Sequence, residues 1–247
     1  MSAVEMRGIS KSFGTVQALN DVDFTLKQGE IHAVLGENGA GKTTLMKVLY
    51  GMHKPDRGEI LIRGEKKRFR DSSDAIQAGI GMVHQHFMLV PVLSVAENIV
   101  ACCEPRKGLF YDHEQAVRNV TELAQKSGFH IDARAKVENL SVGQMQRVEI
   151  LKALYRGVEI LILDEPTAVL TPIEVQELFK ALRELRAAGK SIVIITHKLY
   201  EVMEIADRCT VLRDGTFIGS VDKKDTDMRQ LASMMVGREY SFAIPTR

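Results

Sequence analysis

Gly36-Glu37-Asn38-Gly39-Ala40-Gly41-Lys42-Thr43 reads G-x-x-x-x-G-K-[ST], and it falls between the apolar run Ile31–Leu35 and a helix-forming stretch at 43–49. Strand, glycine-rich turn and helix in that order make a phosphate cradle. The glycines let backbone N–H groups converge on anionic oxygens, and the helix N-terminus adds partial positive charge. Lys42 is then the cation for the β and γ phosphates of a nucleotide, and Thr43 offers its hydroxyl to Mg²⁺. Gly36, Glu37, Asn38, Gly39, Ala40, Gly41, Lys42, Thr43 and Thr44 form the candidate nucleotide-binding set. A glycine-rich turn that merely joins strand to helix is the plain alternative, and the flanking strand and helix argue against it.

Downstream, Ile160-Leu161-Ile162-Leu163-Asp164-Glu165-Pro166 is an apolar run ending in two carboxylates. A buried central strand delivers charge to the edge of a nucleotide pocket in this way. Asp164 is the candidate Mg²⁺ partner, directly or through water, and Glu165 the candidate that polarises an attacking water. An isolated Asp-Glu after a strand is more often a solvated turn. Paired with the Lys42 loop, it reads as catalytic.

The chain has 247 residues, 45% hydrophobic and 26% charged, enough to bury a full core. Its 33 Lys and Arg nearly balance 32 Asp and Glu, so the formal charge of +1 gives no global field that favours nucleic acid. Cys102, Cys103 and Cys209 lack C-x-x-C spacing and fit neither a disulfide framework nor a zinc site, which points to a reducing cytoplasm. Residues 1–8 hold no apolar signal core, and runs such as 160–163 and 192–195 are far too short to cross a bilayer. Any membrane role is therefore borrowed from a partner.

Short β-rich runs at 4–9, 22–26, 31–35 and 60–63 fill the first third. From 94 to about 156 the pattern is mostly helical, with stretches near 114–126 and 143–154. Strand Ile160–Asp164, a helix, strand Ser191–Thr196, another helix and a hairpin around Asp214-Gly215 follow. Thr171-Pro172-Ile173-Glu174 is a T-x-x-E capping box with Pro at the first helical position. Val175, Leu178, Phe179, Leu182 and Leu185 then give that helix one apolar face, and Gly189 can end it. Apolar strands alternating with helices predict an α/β core with parallel strands covered on both faces. The expected core covers about 1–90 and 157–240, with a helical insert at about 91–156.

Leu140-Ser141-Val142-Gly143-Gln144-Met145-Gln146-Arg147 closely resembles the signature of the ATP-binding-cassette (ABC) family, L-S-G-G-Q followed by a Gln- and Arg-rich stretch. The resemblance covers nearly the whole chain. Phe13 in Lys11-Ser12-Phe13-Gly14 resembles the aromatic residue that stacks on adenine. Gln85 in Val83-His84-Gln85 resembles the Q-loop glutamine, and His197 the switch histidine. Alone, such a Phe, Gln or His is more often a packing, surface or structural residue; their order along the chain favours the functional readings. The resemblance implies an α/β P-loop NTPase core with a mostly parallel sheet, an antiparallel β subdomain and a helical insert. It further implies ATP and Mg²⁺ as ligands, hydrolysis carried by Glu165, His197, Gln85 and Lys42, and Thr43, Gln85 and Asp164 around the metal. The signature residues Ser141, Val142, Gly143 and Gln144 would face ATP held on an opposite cassette, so that each site is completed when two cassettes close.

Two departures from the family pattern stand out. Val142 occupies the place of the first signature Gly, and Thr171 that of the D-loop aspartate after Ala168-Val169-Leu170. Both are similar to the first half of the double-cassette ATPases that drive simple-sugar and nucleoside import in bacteria. So are Val83-His84-Gln85-His86-Phe87, Ser94-Val95-Ala96-Glu97-Asn98 and Leu151-Lys152-Ala153-Leu154-Tyr155-Arg156. That likeness implies a second cassette, beyond Arg247 in the same polypeptide or in a homodimer. It also implies integral membrane permease subunits, an extracellular solute-binding protein acting indirectly, no nucleic-acid partner, and a peripheral location on the cytoplasmic face of the membrane. Nucleoside is favoured over sugar on looser resemblance. Against this stand a soluble ABC ATPase acting on ribosome or DNA, for whose coiled coil no heptad run appears, and a degenerate cassette that binds ATP without turnover.

Overall fold

The computed structural model describes residues 1–237; the end of the expected core, 238–240, and the segment from Ser241 to Arg247 lie outside them. Its first part runs β1 (Ser2–Phe13), β2 (Val16–Lys27), β3 (Ile31–Leu35), α1 (Lys42–Leu49), β4 (Arg57–Ile62), β5 (Glu65–Lys67), α2 (Ser72–Gln77) and β6 (Ile80–Val83). The middle holds α3 (Val95–Val100), a small hairpin of β7 (Arg106–Lys107) and β8 (Phe110–Tyr111), α4 (His113–Lys126) and α5 (Val142–Tyr155). The last part is β9 (Ile160–Asp164), α6 (Pro172–Ala187), β10 (Ser191–Thr196), α7 (Leu199–Ile205), β11 (Arg208–Arg213), β12 (Thr216–Asp222) and α8 (Met228–Val236).

Two sheets carry the fold. The larger has the order β12-β11-β3-β10-β9-β6, parallel from β11 to β6, with β12 antiparallel at one edge. The smaller, β2-β1-β4-β5, is antiparallel throughout. Alternation along the buried strands fixes the layers, because successive side chains leave opposite faces. Leu161, Leu163, Ile192 and Ile194 pack with α3, α4, α5 and α6, whereas Ile160, Ile162, Val193 and Ile195 pack with α1, α2 and the antiparallel sheet. Both faces of the parallel strands are thus covered, which is why β9 and β10 read as continuous apolar runs. A third cluster joins α7 and α8 to β3 and β11.

Local signals act where the sequence places them. Thr171 caps α6 in a full capping box with Glu174, Pro172 opens the helix, and Val175, Leu178, Phe179, Leu182 and Leu185 are all buried. Asp214 and Gly215 both have positive φ, 50° and 71°, as the tight turn between β11 and β12 requires. β1 and β2 extend well past the apolar runs at 4–9 and 22–26, because backbone pairing continues through polar Lys11, Ser12 and Gln17 with bulges in register. α2, β6 and the β7–β8 hairpin are too short to show a helical or strand period in the sequence.

Phe179 is 0% exposed at the centre of the cluster beneath α6. Phe179→Ala is expected to lower unfolding stability by about 3–5 kcal/mol in urea titrations, with the glycine-rich turn at 36–43 left in place.

Candidate functional site

Because β3, β9 and β10 run parallel, their C-terminal ends share one edge of the sheet. The glycine-rich turn leaves β3 and feeds α1. Gly41 stands at the N-cap of α1 with φ 93°, and a Cβ there would lie 2.7 Å from the Ala18 carbonyl oxygen. At Gly36 a Cβ would meet the Leu212 carbonyl oxygen at 2.4 Å. Only glycine lets the chain pass between β2 on one side and the β11–β12 hairpin on the other. That hairpin also closes the loop directly, since the Gly215 N–H donates to the Ala40 carbonyl at 3.2 Å and Asn20 N–H to the Gly215 carbonyl at 2.8 Å.

A cleft of about 500 Å³ opens above this turn. Its lining joins Asn38, Lys42, Thr43 and Thr44 to Gln85, beyond β6, and Glu165, beyond β9. The Lys42 ammonium folds back onto the Gly36 and Glu37 carbonyls, donating to each at 2.8 Å. Burial holds its pKa below the usual lysine value, and the charges of Glu165 and Asp164 oppose that shift.

Thr43 Oγ1 donates to Asp164 Oδ1 at 3.0 Å, which ties α1 to the end of β9. Burial raises the Asp164 carboxyl above its ordinary range, and nearby Glu165 adds to the rise, against the Thr43 hydrogen bond. A buried carboxylate beside a hydroxyl offers hard oxygen donors that suit Mg²⁺. Among the described residues no group of three or more His, Cys, Asp and Glu could hold a metal. Thr43 and Asp164 supply two such oxygen donors side by side.

Glu165 carries φ 45°, a left-handed conformation that costs about 1–3 kcal/mol in a residue other than glycine. Its N–H donates to the Ile195 carbonyl at 3.0 Å, and its Oε1 lies 3.1 Å from His197 Nδ1. The sheet edge thus brings Lys42, Thr43, Gln85, Asp164, Glu165 and His197 together. Phe13 is placed differently. It is 43% exposed at the end of β1, edge-on to His53 with ring centroids 5.0 Å apart. On that side the cleft wall is Val16, Gln17 and Ala18 of β2.

The signature segment is a separate surface. Ser141 caps α5 in a reciprocal box, its Oγ accepting from Gln144 N–H at 3.2 Å while Gln144 Oε1 accepts from Ser141 N–H at 2.8 Å. Val142, at the first helical position, is 38% exposed, and none of the four signature residues lines the Lys42 cleft. Thr171, in the place of the D-loop aspartate, does what either residue can do at a helix start: it caps α6. Two turns farther along α5, Glu149 accepts from Met88 N–H and Lys152 donates to the Met88 carbonyl at 2.8 Å, so α5 clamps the segment that follows Gln85.

The β2 wall and the buttressing hairpin turn carry no sequence signal that ties them to this cleft. Asp214-Gly215 signals a turn, but nothing in the chain tells which loop it will support. No helix among the described residues is long and apolar enough to cross a membrane.

Residues 19–168 match the model of the family described as ABC transporter. The chain is 50% identical, over 98% of its length, to the glucose import ATP-binding protein of Haloferax volcanii, of which it covers 49%. It is 52% identical, over 99% of its length, to the guanosine import ATP-binding protein of Bacillus subtilis, of which it covers 48%. The chain thus spans about half the length of the curated relatives it matches. The dimeric structure of a bacterial ABC transporter cassette superposes with a TM-score of 0.77 at 26% identity, over 89% of this chain and 98% of that one.

Because its folded-state pKa is raised, Asp164 opposes folding above its unfolded-state pKa; the strain is relieved as pH falls and the group takes up its proton. Asp164→Asn keeps an acceptor for Thr43 and removes the buried charge. The nucleotide-free variant is expected to melt higher than the wild type at neutral pH, with that gain shrinking as pH falls toward the ordinary carboxylate range. Differential scanning calorimetry across pH checks the sign.

Proposed function

The chain belongs to the ABC transporter family, and from that premise we propose that it binds and hydrolyses MgATP in the Lys42 cleft, as one of two cassettes that power solute import through a membrane permease. The observation that carries this reading is the convergence on one cleft of a lysine-bearing phosphate turn, the Thr43–Asp164 oxygen pair and the Glu165–His197 pair. The relatives' names, glucose import and guanosine import, support a sugar or nucleoside as the solute. Of the two, a nucleoside is the solute we propose.

Each residue has a task in this reading. Lys42 exchanges the Gly36 and Glu37 carbonyls for phosphate oxygens, which relieves its desolvation with an anionic partner. Thr43, Asp164 and Gln85 would hold Mg²⁺, which when bound neutralises charge developing on the phosphates. Glu165 orients water for attack on the γ-phosphorus and accepts its proton. His197 donates to the γ-phosphate. Nδ1 of His197 stands 3.1 Å from Glu165 Oε1, which orients the ring and leaves Nε2 to face the phosphate. Phe13 would stack on adenine from the end of β1, moving onto the nucleotide from its contact with His53.

Ser141, Gly143 and Gln144 do not line this cleft, and that supports their use on the nucleotide of a second cassette. The dimeric cassette structure supports such pairing, and the relatives, twice as long, support a second cassette in the same polypeptide. Permease subunits, with a solute-binding protein outside, would hold the pair at the cytoplasmic face of the membrane.

Glu165→Gln in the full-length protein is expected to cut ATP turnover about 100-fold or more while ATP binding persists; unchanged turnover would remove Glu165 from the mechanism. Purification from native membranes followed by mass spectrometry tests the partners. Permease subunits, with a polypeptide about twice this mass, are expected. Ribosomal proteins or DNA-repair factors without a permease would overturn the transport reading and leave the ATPase.

A further inference from the structure

Beneath the cleft lies a buried hydrogen-bonded unit that none of these steps uses. Glu201, in the first turn of α7, is 1% exposed. Its carboxylate is shared between the exits of two strands: Thr167 Oγ1 donates to Oε1, and Thr196 Oγ1 donates to Oε2 at 2.9 Å. Tyr200 OH also donates to Oε1, at 3.2 Å, and the Lys198 ammonium stands 3.3 Å from the same oxygen. Lys198 reaches on to Thr167 as well, donating to its carbonyl at 3.2 Å and its Oγ1 at 3.1 Å. The buried charge is paired and its oxygens are satisfied, as burial demands.

The two threonines frame the reacting pair. Thr167 lies two residues beyond Glu165, in the turn where Ala168 N–H donates to the Glu165 carbonyl at 3.1 Å. Thr196 directly precedes His197, and its Oγ1 also accepts from Lys198 N–H at 3.0 Å. The β9–β10 pairing stops at Asp164 and Ile195. Past that point one further backbone hydrogen bond, from Glu165 N–H to the Ile195 carbonyl, joins the two strands, and the left-handed turn at Glu165 has to be held by its surroundings. A planar carboxylate with one oxygen bound to each exit adds a second tie between the strands and braces that turn.

We propose that Glu201 is the positioning residue that sets the separation and orientation of Glu165 and His197. This rests on the reading of the cleft as an ATP-hydrolysing site. Glu201 is buried and does not line the Lys42 cleft. It acts through Thr167 and Thr196, so its loss moves turnover and spares binding at Lys42.

The test compares Glu201→Gln, Thr196→Val and Thr196→Ser in the full-length protein, with Glu165→Gln alongside. Gln replaces one accepting oxygen with a donor, Val removes the hydroxyl at equal size, and Ser restores it. Glu201→Gln and Thr196→Val are expected to lower kcat about tenfold or more with the KM for ATP within about threefold, since small misplacements of reacting groups cost rate rather than binding. Thr196→Ser is expected to stay near wild type, and the melting temperature of Thr196→Val close to that of Thr196→Ser. Should Glu201→Gln fail to fold, the Thr196 pair decides. Equal kcat in Thr196→Val and Thr196→Ser, or a kcat loss that only tracks loss of folded protein, overturns the proposal. Wild-type protein without ATP turnover would sink the reading of the cleft, whereas turnover abolished by Glu165→Gln but intact in Glu201→Gln and Thr196→Val would sink this inference alone.

Discussion

Parallel pairing of β3, β10 and β9 is the constraint from which the site follows. With both faces of these strands buried, the sheet has no polar face, and charge can reach solvent only at the strand ends. Parallel register then gathers Leu35, Thr196 and Asp164 at one edge, so a glycine-rich turn, a histidine and two carboxylates from three distant segments meet there. The Thr43–Asp164 hydrogen bond spans 121 positions of sequence, yet it needs no special loop. Strand order supplies the proximity.

Much of this was legible in the chain because each piece carries its own local signature. The phosphate turn has glycines where a Cβ would strike Ala18 or Leu212, β9 is an unbroken apolar run ending in charge, and α6 announces its start through Thr171, Pro172 and Glu174. What stayed hidden depends on tertiary placement. Glu201 looks like any acid in a helix first turn, and Thr167 and Thr196 look like ordinary strand-exit residues. Their meaning arises from α7 lying across the ends of β9 and β10, which no spacing rule encodes. Asp214-Gly215 was readable as a hairpin turn, though not as the buttress of the phosphate loop. The small β7–β8 hairpin within the helical region is two residues to a strand, below the length at which alternation can be seen.

The departures from the family signature also have a physical account. Val142 sits at the first position of α5 and points partly to solvent, so its branch leaves the Ser141–Gln144 capping box intact. Thr171 retains the capping geometry that an aspartate would give α6 but lacks its charge. Glu174 is in contact with both helix starts, bonding Thr171 and lying 3.4 Å from Ser141 Oγ. The two unusual positions therefore belong to one local arrangement.

The double grip of Glu149 and Lys152 on Met88 makes α5 a rigid strut with something attached at each end. Ser141 begins the rod, and Glu149 lies about 12 Å along it at 1.5 Å per residue. A backbone held through both its N–H and its carbonyl cannot slide or roll against the helix without losing two hydrogen bonds together. Any force applied at the signature end would thus pass lengthwise, like a push-rod, to the stretch beside Gln85.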